Sequence, residues 1–240
     1  IPVIHRRIKW DVGTVQKNAL ETDYNATLIE LKLFEKNIQS SIKKEINWIK
    51  RFELPVLILS DIPPAAAELA DKINAPLILM SNFGWDDIYE TFPASFAEYV
   101  HKYKKDYSKA RYLLRFPFSL EMDWNIKEDS VGLIFAKPKQ LPYNFLKEIN
   151  IINNPLVLVC FGGMGLKFDY TLYKLWPEFT FLSFPSISLN RKQRFEGLFN
   201  VISIPTSIRI LDVLPYCSRI ICKPGFSTFC EAISTKVGIQ

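Results

Sequence analysis

The sequence predicts an α/β fold with mainly parallel sheets arranged in two domains. Three observations carry that expectation. Short apolar runs alternate with amphipathic stretches along the whole chain, the pattern of βαβ units. The runs end on Gly, Pro, Asp and Asn, the residues that turn a chain. The composition changes between Ala136 and Asn154, and a second strand–turn–helix series starts behind that change. The chain has 240 residues, 48% of them hydrophobic. Domains commonly run about 100–200 residues, so one large or two modest ones fit.

Asp23 to Arg51 is the clearest helix. Tyr24, Leu28, Leu31, Phe34, Ile38, Ile42, Ile46 and Ile49 recur at helical spacing. Thr22 or Asp23 can cap it. Pro55 opens a strand over Val56–Ser60, which ends at Asp61. Pro63 and Pro64 interrupt the chain, and Ala65–Ile73 is the next helix. Pro76–Met80 is a strand ending in the loop Ser81-Asn-Phe-Gly-Trp85. Ala94–Lys109 is helical, and Tyr112–Phe116 and Val131–Phe135 are strands. Domain boundaries follow: residues 1–136, a linker over 137–154 holding a short helix at Tyr143–Ile149, and residues 155–240. In the second domain Leu156–Phe161 is a buried strand with a glycine turn behind it. Phe179–Ser183, Val201–Ile204 and Arg219–Cys222 are strands, and Ser207–Tyr216 and Ser227–Lys236 are helices.

Composition removes several function classes. Net charge is only +5, and residues 151–240 carry 9 basic against 5 acidic side chains, while the first 150 carry 21 against 20. No Lys/Arg run is dense enough for a nucleic-acid stripe, so a small anionic ligand is the better partner. The four cysteines form no CxxC pair and there are two histidines, so no metal site is expected. Cys160 and Cys222 sit in apolar runs and read as buried thiols of a reducing, cytoplasmic compartment. No apolar run approaches the roughly 20 residues of a membrane span; peripheral membrane contact stays open. The chain opens on Ile1 and stops at Gln240, and both ends read as cut in mid-fold.

Three segments have the composition of ligand sites. Phe161-Gly-Gly-Met-Gly165 places Gly162, Gly163 and Gly165 directly after a strand, where the backbone can approach a phosphate; a plain tight turn is the alternative. Lys223-Pro-Gly-Phe-Ser-Thr228 follows a strand and opens a helix. Gly225 permits an unusual backbone angle, and Ser227 and Thr228 can cap the helix or donate to a phosphate. Glu231, one turn on, suits paired ribose hydroxyls; Thr228 and Glu231 equally spell a capping box. The third pairs Ser60-Asp-Ile-Pro-Pro64 with Ser81-Asn-Phe-Gly-Trp-Asp86, both at C-terminal strand ends, where α/β sheets bind ligands. Asp61 is a weak catalytic candidate, as base or hydroxyl acceptor, or else a helix cap. Asn82 lies on the same edge. Trp85 stacks on an acceptor or is simply buried. His101, in a lysine-rich helix, reads as a surface residue, and His5 lies too near the chain start to judge.

The run Asp212-Val-Leu-Pro-Tyr-Cys-Ser-Arg-Ile-Ile-Cys-Lys-Pro-Gly-Phe-Ser-Thr-Phe-Cys-Glu-Ala232 resembles the donor-site signature of GT-B glycosyltransferases, of the peptidoglycan N-acetylglucosaminyltransferase and galactolipid synthase type. Phe161-Gly-Gly-Met-Gly165 is similar to the glycine loop opening their second domain. Asp11-Val-Gly-Thr-Val-Gln16, Ser60–Pro64 and Ser81–Tyr89 resemble the glycosyltransferase-like domain of plant L-arabinokinases and its stand-alone bacterial relatives.

The resemblance implies two Rossmann-like domains facing a cleft, both incomplete here, with the nucleotide sugar on the second and the acceptor on the first. By position, Gly162, Gly163, Gly165, Lys223, Gly225, Ser227 and Thr228 would hold the diphosphate, without a metal or cofactor, and Glu231 the ribose. Asp61, Asn82 and Trp85 would face the acceptor. The family's first strand and its glycine loop would precede Ile1, so no general base is visible, and this length of chain is expected to show no turnover. The leading function is transfer of a sugar from a nucleotide sugar, expected to be a UDP-sugar, to an acceptor of unknown identity (a glycan, lipid or small molecule). The alternative is a non-catalytic nucleotide-sugar-binding module of the kind fused to sugar kinases. A sugar-nucleotide epimerase on the same fold would need acid and histidine groups that the two histidines do not supply.

Overall fold

A computed structural model of the chain describes residues 3–161, 169–184 and 197–240. They form two units, one of residues 1–16 and 22–132, the other of 17–21 and 133–240.

In the first unit, α1 spans Tyr24–Ile49. Its start is set by Asp23, whose carboxylate accepts from the Ala26 N–H at 2.9 Å. Leu31, Ile38 and Ile42 form its buried stripe. Glu45 is buried on the same helix but is held by Arg6, whose Nε lies 2.7 Å from one carboxylate oxygen. The Arg6 guanidinium also rests 4.4 Å from the centre of the Trp48 ring. A buried charge persists only with such partners. The helix closes in a 3-10 turn, Lys50–Phe52, ending at Glu53 in the left-handed region.

Four parallel strands follow in the order β1-β2-β3-β4: Ile58–Ser60, Leu77–Ser81, Tyr112–Arg115 and Lys127–Ser130. Between them lie α2 (Ala65–Lys72), α3 (Trp85–Glu90) and α4 (Ala97–Tyr107). Leu77, Leu79 and Leu113 meet Ala66, Ala67 and Ala70 of α2 and the rings of Tyr89, Tyr99, Tyr103 and Tyr107. The alanines leave room for α2 to approach the sheet, and the tyrosines fill the space under α3 and α4.

Three expectations fail here. Val131–Phe135 is not a strand; the fourth strand is Lys127–Ser130, exposed at every position. An edge strand needs no apolar face, and charged edges resist further pairing. It is held by its ladder to β3, by Tyr112 bonding Asp129 at 2.5 Å, and by Arg115 bonding Glu128 at 2.7 Å. The stretch read as a loop ending at Trp85 runs straight into α3. The first turn of the Ala94–Lys109 helix is a separate 3-10 turn, Ala94–Phe96.

The second unit holds a five-stranded parallel sheet in the order β7-β6-β5-β8-β9. The strands are β5 Leu156–Cys160, β6 Thr180–Ser183, β7 Val201–Ser203, β8 Arg219–Cys222 and β9 Gly238–Ile239. Its helices among the described residues are α5 Tyr143–Asn150, α6 Ile210–Val213 and α7 Phe226–Ser234. Leu156, Leu158, Leu182 and Ile220 point to one face, against Phe145, Ile149, Val213 and Ala232. Val157, Val159 and Phe181 point to the other, against Tyr173. The stretch read as a linker is therefore partly packed, since α5 sits in this core.

The expected Ser207–Tyr216 helix is one α turn followed by a 3-10 turn, Leu214–Tyr216. Pro215 has no N–H to give an α-helical bond, so the coil tightens there. A 3-10 turn at Tyr170–Leu175, capped by Asp169, was not foreseen. Among the described residues no helix is long and apolar enough to cross a membrane.

Candidate functional site

Both sheets end in loops that carry the residues singled out above. In the second unit β8 ends at Cys222, and the chain turns tightly, the Gly225 N–H donating to the Lys223 carbonyl at 2.7 Å. α7 starts at once. Gly225 is its N-cap, with φ −99 and ψ 130, and no side chain caps the helix. Two sequence readings are corrected by this. Gly225 adopts an ordinary extended angle, and a Cβ there would meet Thr228 Oγ1 only at 3.7 Å. Ser227 and Thr228 lie inside the first turn, so neither caps it, and Thr228 with Glu231 forms no capping box. The first intrahelical donor is the Phe229 N–H, to Gly225 at 3.0 Å. The Ser227 and Thr228 N–H groups have no intrahelical acceptor and point out of the helix at its positive end.

Glu231 is half-buried on this helix. Its carboxylate accepts no hydrogen bond among the described residues. Burial raises its pKa above the ordinary value, the Arg209 charge lowers it, and Asp212 raises it. Arg209 is itself committed to Asp212, its Nε donating at 2.9 Å. Asp212 also accepts from the Lys139 N–H at 2.7 Å. The Arg209 bond first of all holds the Asp212 carboxyl down to about 2. This pair, which sequence reasoning missed, fixes the chain beside Glu231; its i,i+3 spacing was the only signal. Lys223 is half-buried on the same edge. Gly162, Gly163 and Gly165 lie outside the described residues.

In the first unit Asp61 directly follows β1. It caps nothing, because the N-cap of α2 is Pro64 and makes no side-chain bond. Its carboxylate makes no hydrogen bond or ion pair among the described residues. Partial burial, then the charge of Asp11, raises its pKa. Asp11 was not among the sequence candidates. Its carboxylate accepts from the Trp85 indole N–H at 3.0 Å. The Trp85 ring lies over Gly13, where a Cβ would come within 3.2 Å and φ is +64. Phe83 packs edge-on to it at 5.2 Å. Trp85 is half-buried and holds Asp11 and the Gly13 turn. Asn82 is half-buried; its carbonyl accepts from Leu120 at 2.8 Å, and its side-chain amide makes no hydrogen bond among the described residues.

Two tyrosines pin this edge. Tyr107 donates to the Ile62 carbonyl at 2.8 Å, just behind Asp61, and Tyr89 donates to the Gly13 carbonyl at 2.6 Å. Gly84 is required sterically: a Cβ would lie 2.1 Å from Asp86 Oδ1 and 2.4 Å from Trp124. Asp86 Oδ2 accepts from the Trp124 indole at 2.7 Å, while its Oδ1 is buried without a partner. Burial first of all raises the Asp86 carboxyl to about 6. His101 lies exposed on α4, and no cluster of metal-ligating side chains occurs among the described residues.

No family model matches the chain. It is 24% identical over 245 residues to L-arabinokinase of Arabidopsis thaliana, covering 97% of this chain and 22% of that protein. Among solved structures it is similar to UGT2 of Phytolacca americana, complexed with UDP-2fluoro-glucose and pterostilbene, with TM-score 0.62 and 14% identity, over 88% of this chain and 61% of that one. It is also similar to a UDP-glucosyltransferase from Polygonum tinctorium, with TM-score 0.61 and 16% identity, over 87% of this chain and 62% of that one. The chain thus spans about a fifth of the curated relative and three-fifths of these structures. With its two parallel-sheet, Rossmann-like units, it has the fold of the GT-B glycosyltransferases.

Proposed function

We propose that the protein binds a UDP-sugar on the C-terminal edge of its second sheet and transfers the sugar. The observation that carries this is the start of α7: the Ser227 and Thr228 N–H groups, without an intrahelical acceptor, and one turn behind them the Glu231 carboxylate, which accepts no hydrogen bond among the described residues. A diphosphate fits the first feature by charge and donors. Ribose hydroxyls fit the second, because a carboxylate only accepts. The UDP-2fluoro-glucose in the complex of one structural neighbour and the name of the second, a UDP-glucosyltransferase, support the same donor class.

In transfer, negative charge grows on the departing diphosphate. The Ser227 and Thr228 N–H groups and the helix dipole are already oriented toward it, so they stabilise it without reorganising. Lys223 adds a positive charge on that edge, and no metal is needed in this scheme. The glycine turn at Gly162, Gly163 and Gly165 would complete the cradle. On the first unit, Asp61 and Asn82 have side-chain acceptors and donors unused among the described residues, which suit a hydroxylated acceptor. Asp61 is the candidate base, its raised pKa bringing it toward that task.

A second reading is a nucleotide-sugar-binding module without turnover. The match of nearly the whole chain to a fifth of an L-arabinokinase favours it. Titration of the full-length protein with UDP, GDP and TDP tests the donor site. UDP is expected to bind best, and Glu231→Ala to weaken it about tenfold, the loss of one charged hydrogen-bond partner. Unchanged UDP affinity in that variant sinks the ribose assignment. Assay of sugar release from UDP-sugars then separates the readings, since a module binds without consuming donor.

A further inference from the structure

β5 and β8 are neighbours in the second sheet, and their last residues, Cys160 and Cys222, are direct partners in the register. Paired strands run about 4.8 Å apart. That lies inside the Cα separation of about 4.4–6.8 Å that a disulfide spans. In-register partners leave the sheet on the same face. Leu158 and Ile220, two residues back on each strand and fully buried, show which face that is. Cys222 packs against the same core.

Both sulfurs belong to half-exposed residues, and neither is in a disulfide. They are electrostatic neighbours as well: burial, and then the charge of Cys160, raise the Cys222 thiol above its ordinary value. The other two cysteines lie elsewhere. Cys217 directs its thiol to the Val213 carbonyl at 3.5 Å, and Cys230 is fully buried in α7.

We propose that Cys160 and Cys222 are an oxidation site that closes to an intramolecular disulfide across the ends of β5 and β8. A small-molecule disulfide such as oxidised glutathione is the oxidant. One cysteine thiolate attacks it, forming a mixed disulfide and expelling one glutathione thiolate. The second cysteine thiolate attacks the protein sulfur of that mixed disulfide and expels the other. The two protein thiols are oxidised, the glutathione disulfide is reduced, and the cysteine protons end on the two glutathione thiols. Because burial raises the Cys222 thiol above its ordinary value, its attack speeds up as pH rises.

The bond would sit one residue before Lys223, where the turn into α7 begins. Resting on the donor reading above, closure draws Cys222 toward Cys160 and shifts that turn, so oxidised protein binds UDP less tightly.

The test treats the full-length protein with oxidised glutathione at mildly alkaline pH, blocks remaining thiols, and maps peptides by mass. The expected product is lighter by two hydrogens and yields one cross-linked peptide containing Cys160 and Cys222. Cys160→Ser and Cys222→Ser should each abolish the cross-link and leave a glutathione adduct on the remaining partner. Two separately blocked thiols at Cys160 and Cys222 after oxidation, or glutathione on both in the wild type, overturn the proposal. UDP titration of both forms tests the coupling. A cross-linked form that binds UDP as well as the reduced form overturns that coupling. Reduced protein that binds no UDP overturns the donor reading instead and leaves the disulfide standing.

Discussion

The two sheets differ in how their faces are covered. In the second unit the first four residues of β5 and all four of β6 are buried. Helices and a 3-10 turn cover both faces. In the first unit β2 alternates buried and half-buried residues, and Leu59 of β1 is 57% exposed. The helices pack on the face of Leu77, Leu79 and Leu113; the face of Ile78 and Met80 is only half-buried among the described residues. Yet both sequences, Leu-Val-Leu-Val-Cys and Leu-Ile-Leu-Met-Ser, read as continuous apolar runs. A continuous run marks a parallel strand with apolar residues on both faces. It does not say how completely each face is covered.

The comparison breaks most directly at equivalent leucines. Leu158→Ala in β5 removes a fully buried side chain. It should cost about 2–5 kcal/mol in urea unfolding, through lost burial and the cavity left behind. Leu59→Ala in β1 should stay within about 0.5 kcal/mol, as exposed substitutions usually do. Similar losses at both positions would mean that the open face of β1 is covered in solution.

The next largest effect belongs to the first unit's edge. Gly84→Ala puts a methyl group 2.1 Å from Asp86 Oδ1 and 2.4 Å from the Trp124 ring. Neither neighbour is the loose end of a flexible chain, since the Trp124 indole is bonded to Asp86. Overpacking of this kind costs about 1–3 kcal/mol. Gly225→Ala is the matching change in the second unit. It should cost less, because its nearest neighbour is 3.7 Å away. An equal loss at both glycines would restore the special role that the sequence suggested for Gly225.

Much of this was legible in the sequence, for physical reasons that differ by element. α1 was plain because its apolar stripe recurs over many turns and Asp23 caps it. The strand β5 was plain because burial on both faces demands apolar residues, and β8 because Ile220 is buried on one face and Ile221 half-buried on the other. β4 was illegible, since Lys-Glu-Asp-Ser gains its pairing from β3 and buries nothing. α3 was hidden because six residues give too little periodicity, and Ser-Asn-Phe-Gly looks like a loop. At the site, Lys223–Glu231 was found by its strand–turn–helix order, but its capping was misread, because hydroxyls at Ser227 and Thr228 carry the composition of a cap wherever the helix begins. Asp11 was missed because only the fold brings it to Trp85 and Asp61.

Asp86 adds a pH dependence confined to the first unit. Its carboxyl is raised from the ordinary 3.8 to about 6. A raised carboxyl binds its proton more tightly in the folded state. The stability it contributes is present below 3.8 and is lost as pH rises through about 6. Asp86→Asn removes that dependence. Whatever the amide itself costs, the variant should gain on the wild type by about 1–3 kcal/mol between roughly pH 4 and 7. A difference that stays flat over that range would show that Asp86 is not desolvated as the structure has it.

The smallest expected effect is at the edge the two units do not share. β9 closes the second sheet with Gly238 and Ile239, whereas β4 closes the first with charged residues. Arg115 reaches across from β3, its Nη2 bonding Glu128 at 2.7 Å and the Glu121 carbonyl at 3.0 Å. It therefore ties β4 and the loop before it to β3. Glu128 is exposed, so screening and side-chain entropy limit the pair, and Glu128→Ala should cost only about 0.2–1 kcal/mol. The loss should shrink further as salt is added, which a stability series at low and high ionic strength would read. A salt-independent loss above that range would mean that β4 depends on Glu128 for more than its charge. The polar strand would then be specified by side-chain packing, and the reason for its illegibility would have to be found elsewhere.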